Sequence, residues 1–206
     1  DSSSPTSLGV YMGIKSAVNH ISGNDSLNNK NVLVQGVGNV GRKLVDHLLS
    51  ENANVFVCEI NSKNIDAIRD KKVTIIDPEN IYDSHYDIIS PCALGGTINI
   101  DSLKKINCDI IAGAANNQLQ NDNEVPEELN RKNILYIPDF LINAGGIISV
   151  YHEQINEINS KKVMEMTELI YDKVNDVIKH SEKNSLSTNS SAIQLAKDRI
   201  KENSKK

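Results

Sequence analysis

The chain of 206 residues contains no tryptophan and only two phenylalanines. Proteins that grip nucleic acid combine a basic groove with aromatic faces on which bases stack. Here aromatics are scarce and the net charge is −5, so nucleic acid is not expected as a main partner. Cysteine is equally sparse: Cys58, Cys92 and Cys108 are odd in number and lie in or beside apolar segments. They lack C-x-x-C spacing and the chain has no H-E-x-x-H, so neither a disulfide framework nor a metal site is expected. Reduced thiols fit a cytoplasmic protein. No apolar run approaches the roughly 18 residues of a membrane span. The opening Asp1-Ser2-Ser3-Ser4-Pro5 has neither the basic nor the apolar stretch of a secretory signal. What is present is an apolar fraction of 39%, enough for a buried core in one large domain or a domain with an appendage.

The most informative stretch is the β-branched run Asn31-Val32-Leu33-Val34-Gln35 followed by Gly36-Val37-Gly38-Asn39-Val40-Gly41. Three glycines at G-x-G-x-x-G spacing, ahead of an amphipathic run to Asn52, open a dinucleotide-binding βαβ unit. Gly36 is expected to make the tight turn, Gly38 to let the backbone approach a pyrophosphate, and Gly41 to let helix and strand pack closely. The helix N-terminus would turn its N–H groups and the positive end of its dipole toward the phosphates. A second strand, residues 54–59, ends in Glu59, 18 residues beyond Gly41. That is close to the spacing of about 20 at which a carboxylate meets the adenosine ribose. Such a carboxylate accepts hydrogen bonds from the 2′-OH of NAD and repels the 2′-phosphate of NADP, so NAD is the expected cofactor. Lys63, if folded back toward the ribose, would blunt that preference. A solvated strand-end charge is the alternative reading of Glu59.

Along the rest of the chain, a helix is expected from Pro5-Thr6 to about Ile21, with Gly23 just past its end. Lys15 reads as a solvated residue of that helix. Further strands are expected at 73–76, 87–90, 109–112 and 134–137, with helices at 62–70, 101–106 and 124–132. Continuous apolar strands alternating with helices indicate a parallel sheet buried on both faces. The β signal stops after Asp139, and helices are expected at 143–155, 160–180 and 190–200, ending in a polar tail at 201–206. The fold class is therefore α/β: a Rossmann-type, doubly wound, mainly parallel sheet with C-terminal helices. One NAD-binding domain spans 1–206, with its core at about 30–150 and the helices of 1–23 and 160–206 packed around it. His20, His47, His85, His152 and His180 read as surface or supporting residues.

In an open sheet of this kind, ligands bind beyond the carboxyl ends of the strands. Those ends hold the glycine loop, Glu59, Ser90-Pro91-Cys92-Ala93-Leu94-Gly95-Gly96, residues 113–118 and residues 138–146. Small residues and amides concentrate there, although turns favour Gly and Asn in any case. Thr6 with Gly9-Val10-Tyr11, the glycine loop, Ser90–Gly96, Ala112–Leu119 and Pro138-Asp139-Phe140-Leu141-Ile142-Asn143-Ala144-Gly145-Gly146 together resemble the cofactor-binding half of the glutamate/leucine/phenylalanine/valine dehydrogenase family. The likeness is to its leucine dehydrogenase branch and runs over residues 1 to about 200. The resemblance implies NAD-dependent, reversible oxidative deamination of an L-amino acid to a 2-oxo acid and ammonium, in a homo-oligomeric enzyme.

The resemblance also implies residue roles. Thr6 would bond the nicotinamide carboxamide, and Gly36, Val37, Gly38, Asn39, Val40 and Gly41 would hold the pyrophosphate. Glu59 stands where the family usually has Asp. Cys92 and Ala93 would line the adenosine side, Asn117 would contact the nicotinamide ribose, and Asn143 the carboxamide or substrate. Ile147 and Val150 match positions lining the substrate side-chain pocket. Two β-branched apolar walls reward an aliphatic side chain and offer a carboxylate nothing. Leucine, isoleucine or valine is therefore the expected substrate, glutamate is rejected, and phenylalanine stays open; Ile147 and Val150 could also be plain core residues. The family's two catalytic lysines, one of which activates water, have no counterpart here, so no catalytic residue is assigned to this chain. They are expected in a separate N-terminal substrate domain, without which this piece would bind NAD but not turn over, and apolar surface on 160–200 would be bare. A non-catalytic NAD(H)-sensing module is the competing reading.

Overall fold

A computed structural model describes residues 1–155 and 159–204. Six strands form one all-parallel sheet: β1 (Asn31–Gln35), β2 (Asn54–Cys58), β3 (Val73–Ile75), β4 (Tyr86–Pro91), β5 (Cys108–Ile111) and β6 (Leu135–Tyr136), in the order β3-β2-β1-β4-β5-β6. This is a doubly wound Rossmann-type sheet whose strand order reverses between β1 and β4. Period-two alternation assigns the faces. Val32, Val34, Ile88 and Ile110 enter one core with α1 (Ser3–Ser22) and α2 (Asn39–Ser50). Leu33, Ile89 and Ile111 point the other way, with Leu103 of α4 (Ile100–Lys105) and Val125 and Leu129 of α5 (Glu124–Arg131). Because all strands run parallel, every loop named from the sequence emerges on one edge.

The expected elements recur with shifted bounds. α1 ends at Gly23, which takes the left-handed φ of 74° and donates its N–H to the Asn19 carbonyl. α3 (Ser62–Asp66) stops short of residue 70, and the helix expected at 143–155 is α7 (Gly145–Gln154), preceded by a further short helix, α6 (Asp139–Ile142). The single helix expected over 160–180 is two, α8 (Ser160–Glu168) and α9 (Ile170–Asn184), parted at Leu169. The break lets α8 lie against α7 and α1 while α9 runs along α1 and meets α6 and α10 (Thr188–Asn203). Such a change of partner leaves no mark on helical periodicity. α10 begins earlier than expected because the Ser187 hydroxyl caps the Ser190 N–H at 3.1 Å. It also extends through residues 201–203 of the expected tail; residues 205–206 lie outside the described residues.

Two residue assignments change. Lys15 is not solvated: its side chain is only 17% exposed and pairs with Glu51 at 2.6 Å and Asp25 at 3.6 Å. Glu51 also accepts from the Tyr11 hydroxyl and from the Leu27 N–H. Burial alone would raise the Glu51 carboxyl, but Lys15, Tyr11 and Leu27 together hold it below its ordinary value. His152 is buried, with Nε2 3.0 Å from the Met166 sulfur and its ring edge-on to Tyr151. The other four histidines sit at or near the surface, with His20 against Glu182, His85 against Asp109, and His47 stacked on Tyr11.

Apolar surface on 160–200 is only partly bare. Ile170, Val174, Val177 and Ile178 are buried, whereas Met166, Leu169, Ile193 and Ile200 are exposed. α1 is central to this packing: Val10, Ile14 and Ala17 are fully buried and share a core with Ile170 and Val174 of α9. Its interior glycines permit the approach. A Cβ on Gly9 would stand 2.4 Å from the Ile142 carbonyl oxygen, and one on Gly13 would stand 2.4 Å from the Ile142 side chain. Helix propensity favours alanine over glycine by about 1 kcal/mol, yet a backbone oxygen cannot swing aside. Gly9→Ala is therefore expected to destabilise the fold by about 1–3 kcal/mol in urea unfolding; a stabilised variant would contradict this contact.

Candidate functional site

Main chain meets main chain where β1 and β4 diverge. Gly36 follows β1 with φ 93°, and a Cβ there would lie 2.7 Å from the Ala93 Cβ. A Cβ on Gly41, in the first turn of α2, would lie 2.1 Å from the Gly36 carbonyl oxygen. Both positions therefore accept only hydrogen. Gly38, the N-cap of α2, differs: a Cβ there would meet nothing within 4 Å, and no side chain caps the helix. The loop thus presents an open glycine and helix-start amides along the binding edge. That suits a diphosphate, which takes N–H donors and the positive end of the dipole together.

Glu59 is bound into this loop. Its Oε2 accepts from the Val37 N–H at 2.9 Å and the Asn64 side-chain amide at 3.1 Å. Its Oε1 accepts from the Ile60 and Asn61 N–H groups, both at 2.9 Å. Burial opposes the charge, but the Asn61, Val37, Asn64 and Ile60 donors outweigh it and keep the carboxyl below its ordinary value. Glu59 is therefore a braced anion rather than a loose strand-end charge.

The second half of the edge is held by Asp139, which is 7% exposed. Its Oδ2 accepts from the Asn117 N–H at 2.8 Å and its Oδ1 from the Tyr136 hydroxyl at 2.7 Å. Burial, then the Asp139 charge, pushes the Tyr136 phenol well above its ordinary value. Asn117 has φ 53°, a region asparagine tolerates better than most residues. Its carbonyl accepts from the Gly96 N–H at 2.7 Å, which ties the β4 and β5 loops together. Asn143 donates its amide to Asn116 Oδ1 at 2.6 Å and to the Ala114 carbonyl at 3.3 Å. Thr6 lies against Gly146, where a Cβ would stand 2.9 Å from its hydroxyl.

The chain matches Glutamate/Leucine/Phenylalanine/Valine dehydrogenase over residues 1–61 and 57–206. It belongs to this family. L-tryptophan dehydrogenase of Nostoc punctiforme (strain ATCC 29133 / PCC 73102) is 42% identical over 196 residues, 95% of this chain and 55% of that protein. Leucine dehydrogenase of Bacillus subtilis (strain 168) is 40% identical over 196 residues, 95% of this chain and 53% of that protein. The crystal structure of L-tryptophan dehydrogenase from Nostoc punctiforme superposes with a TM-score of 0.95 at 38% identity, over all of this chain and 63% of that one. The chain thus spans about half the length of the curated relatives it matches.

In this member of the Glutamate/Leucine/Phenylalanine/Valine dehydrogenase family, the structure gathers the expected residues into groups. Gly36, Val37, Gly38, Asn39, Val40, Gly41 and Glu59 form one cradle; Cys92 follows β4 directly, with Ala93 against Gly36; and Asn117 and Asn143 share the asparagine cluster. Thr6 joins through its contact with Gly146. Ile147 and Val150 are 70% and 47% exposed on α7, so they are not core residues. With Tyr151, at 54%, they form an exposed i, i+3, i+4 stripe. All three cysteines are free, and burial pushes the Cys108 thiol up to about 12. Among the described residues, no group of three His, Cys, Asp or Glu side chains could hold a metal, and no helix is long and apolar enough to cross a membrane. A separate cleft of about 440 Å³ between α5, α9 and α10 contains none of the expected site residues.

Sequence reading did not single out Asp139, Asn116, Gln118 or Asn64. Fully buried Gln118 braces the β5 loop by donating to the Gly113 and Ala115 carbonyls at 2.7 and 2.9 Å. A lone acidic residue one position beyond the apolar run 134–137, after Pro138, was the available signal for Asp139. Asp139→Ala would leave the Asn117 N–H and the Tyr136 hydroxyl without their acceptor, costing about 2–3 kcal/mol in urea unfolding; an effect below about 0.5 kcal/mol would show the bracket is not structural. For Glu59 the folded carboxyl titrates lower than the unfolded one, so its stabilisation is present above the ordinary value near pH 4.3 and is lost as pH falls through the folded value. Unfolding followed from pH 6 to 3 should accordingly show a shallower acid decline for Glu59→Gln than for wild type.

Proposed function

We propose that this chain is the NAD-binding portion of an amino acid dehydrogenase that catalyses reversible oxidative deamination of an apolar L-amino acid to the 2-oxo acid and ammonium. The observation that carries the reading is the cradle at the strand-order reversal, where open Gly38 and uncapped α2 adjoin the braced Glu59 carboxylate. NAD supplies the hydride acceptor when bound. The residues of this chain bind and orient. The helix-start amides of 39–41 receive the diphosphate, Cys92 and Ala93 flank the adenosine side, and Thr6, Asn117 and Asn143 fix the nicotinamide end. Glu59, an anion at the ribose position, favours a hydroxyl over a phosphate and so NAD over NADP.

Membership supports an amino acid substrate, and its side chain is the finer question. Similarity extends to a leucine and an L-tryptophan dehydrogenase alike. The exposed Ile147 and Val150 favour an aliphatic side chain, with leucine, isoleucine and valine ahead of phenylalanine, because each buried apolar Å² is worth about 25 cal/mol. They carry no cation for a glutamate side chain. Substrate-carboxylate binding and water activation fall to lysines of a further domain, so this piece alone binds NAD without turnover. The complete enzyme is a cytoplasmic homo-oligomer in this reading.

Calorimetric titration of the chain should show NAD binding at millimolar concentration or tighter, with NADP at least about tenfold weaker, since a phosphate facing a carboxylate is a like-charge contact. No NAD binding at millimolar concentration would overturn the proposal. In a longer parent protein, Val150→Ser should lower kcat/KM for leucine by about tenfold, the value of removing roughly two buried methyl groups. An unchanged preference would place Val150 outside the pocket.

A further inference from the structure

The Glu59 carboxylate has about four lone-pair positions, and four donors fill them: the N–H groups of Val37, Ile60 and Asn61, and the side-chain amide of Asn64. A ribose hydroxyl arriving at Glu59 therefore needs one donor to withdraw. The three N–H groups belong to the main chain of the glycine loop and of the turn after β2, and cannot leave without unfolding those turns. Asn64 is different. It is the only side chain among the four, it sits on the single-turn helix α3, which buries no residue, and it reaches Glu59 by the longest of the four bonds, 3.1 Å.

We infer that Asn64 occupies the acceptor position on Glu59 that the 2′-hydroxyl of the adenosine ribose takes when the dinucleotide binds, making Asn64 a determinant of cofactor affinity and selectivity. The inference rests on the dinucleotide reading above and adds to it a resident competitor. Asn64 is a neutral donor, as a ribose hydroxyl is, so the exchange conserves the number of hydrogen bonds to the carboxylate. A 2′-phosphate has no proton to offer at neutral pH and cannot complete the exchange. The Asn64 bond thus favours NAD over NADP by demanding a donor in return, in addition to the repulsion from the Glu59 charge.

Titration calorimetry on the whole chain tests this with NAD and with NAD analogues lacking the 2′- or the 3′-hydroxyl of the adenosine ribose. Asn64→Ala empties the contested position, and NAD should then bind about fivefold tighter, the scale of one net hydrogen bond. The gain should vanish for the 2′-deoxy analogue and persist for the 3′-deoxy one. It should also vanish when Asn64→Ala is compared with wild type in a Glu59→Gln background, which separates the exchange from any general change in α3. If wild type binds NAD but Asn64→Ala gives no gain, or a gain that persists for the 2′-deoxy analogue, or a gain that persists with Glu59→Gln, the inference alone is overturned. If neither wild type nor Asn64→Ala binds NAD, the dinucleotide reading falls and takes this inference with it.

Discussion

The binding edge depends on main chain lying against main chain. At Gly36, Gly41, Gly95, Gly113 and Gly145 a single added carbon would stand between 2.0 and 2.7 Å from another atom, mostly backbone. These contacts draw the loops after β1, β4 and β5, and the start of α7 against α1, into one shallow layer. Side chains are excluded from the seams, so the polar groups left on the surface are amides and carbonyls with fixed directions. Amides aimed in advance suit a ligand whose recognised parts are phosphates and sugar hydroxyls, because the ordering cost is met in folding and not in binding.

Two carboxylates hold the ends of that layer. Glu59 ties the end of β2 to the glycine loop through Val37, and Asp139 ties the start of α6 to the β5 loop through Asn117. They lie on opposite sides of the strand-order reversal. Among the described residues both are held by hydrogen-bond donors: Glu59 by three main-chain N–H groups and one side-chain amide, Asp139 by the Asn117 N–H and the Tyr136 phenol. A carboxylate stabilised by oriented donors in this way needs no cation beside it.

Much of this was legible in the sequence because it rests on local rules. Continuous apolar runs marked the six strands, glycine spacing marked the turn at 36–41, and Gly23 marked the end of α1. The parallel sheet and the shared edge followed from the alternation of strand and helix. What escaped reading depended on tertiary partners. Lys15 meets Glu51 only because α1 crosses α2, and His152 is buried only because α8 folds back on α7. The parting of α8 from α9 at Leu169 is a change of packing partner within an unbroken apolar rhythm. In the candidate site, Asn117 and Asn143 were named through family resemblance. Their supports, Asp139 and Asn116, bond to them across 22 and 27 residues of sequence, and no local pattern records such pairings.

The burial of α1 decides where this unit can be trimmed. Val10, Ile14 and Ala17 carry no exposed surface and share a core with β1 and α9, while Gly145 packs against the Pro5 carbonyl. An expression boundary drawn at residue 30, just ahead of the sheet, would look natural on a diagram of strands and would remove this keystone. The remaining polypeptide would expose a hydrophobic trough along α2 and α9 and lose the stop that sets the pitch of α7.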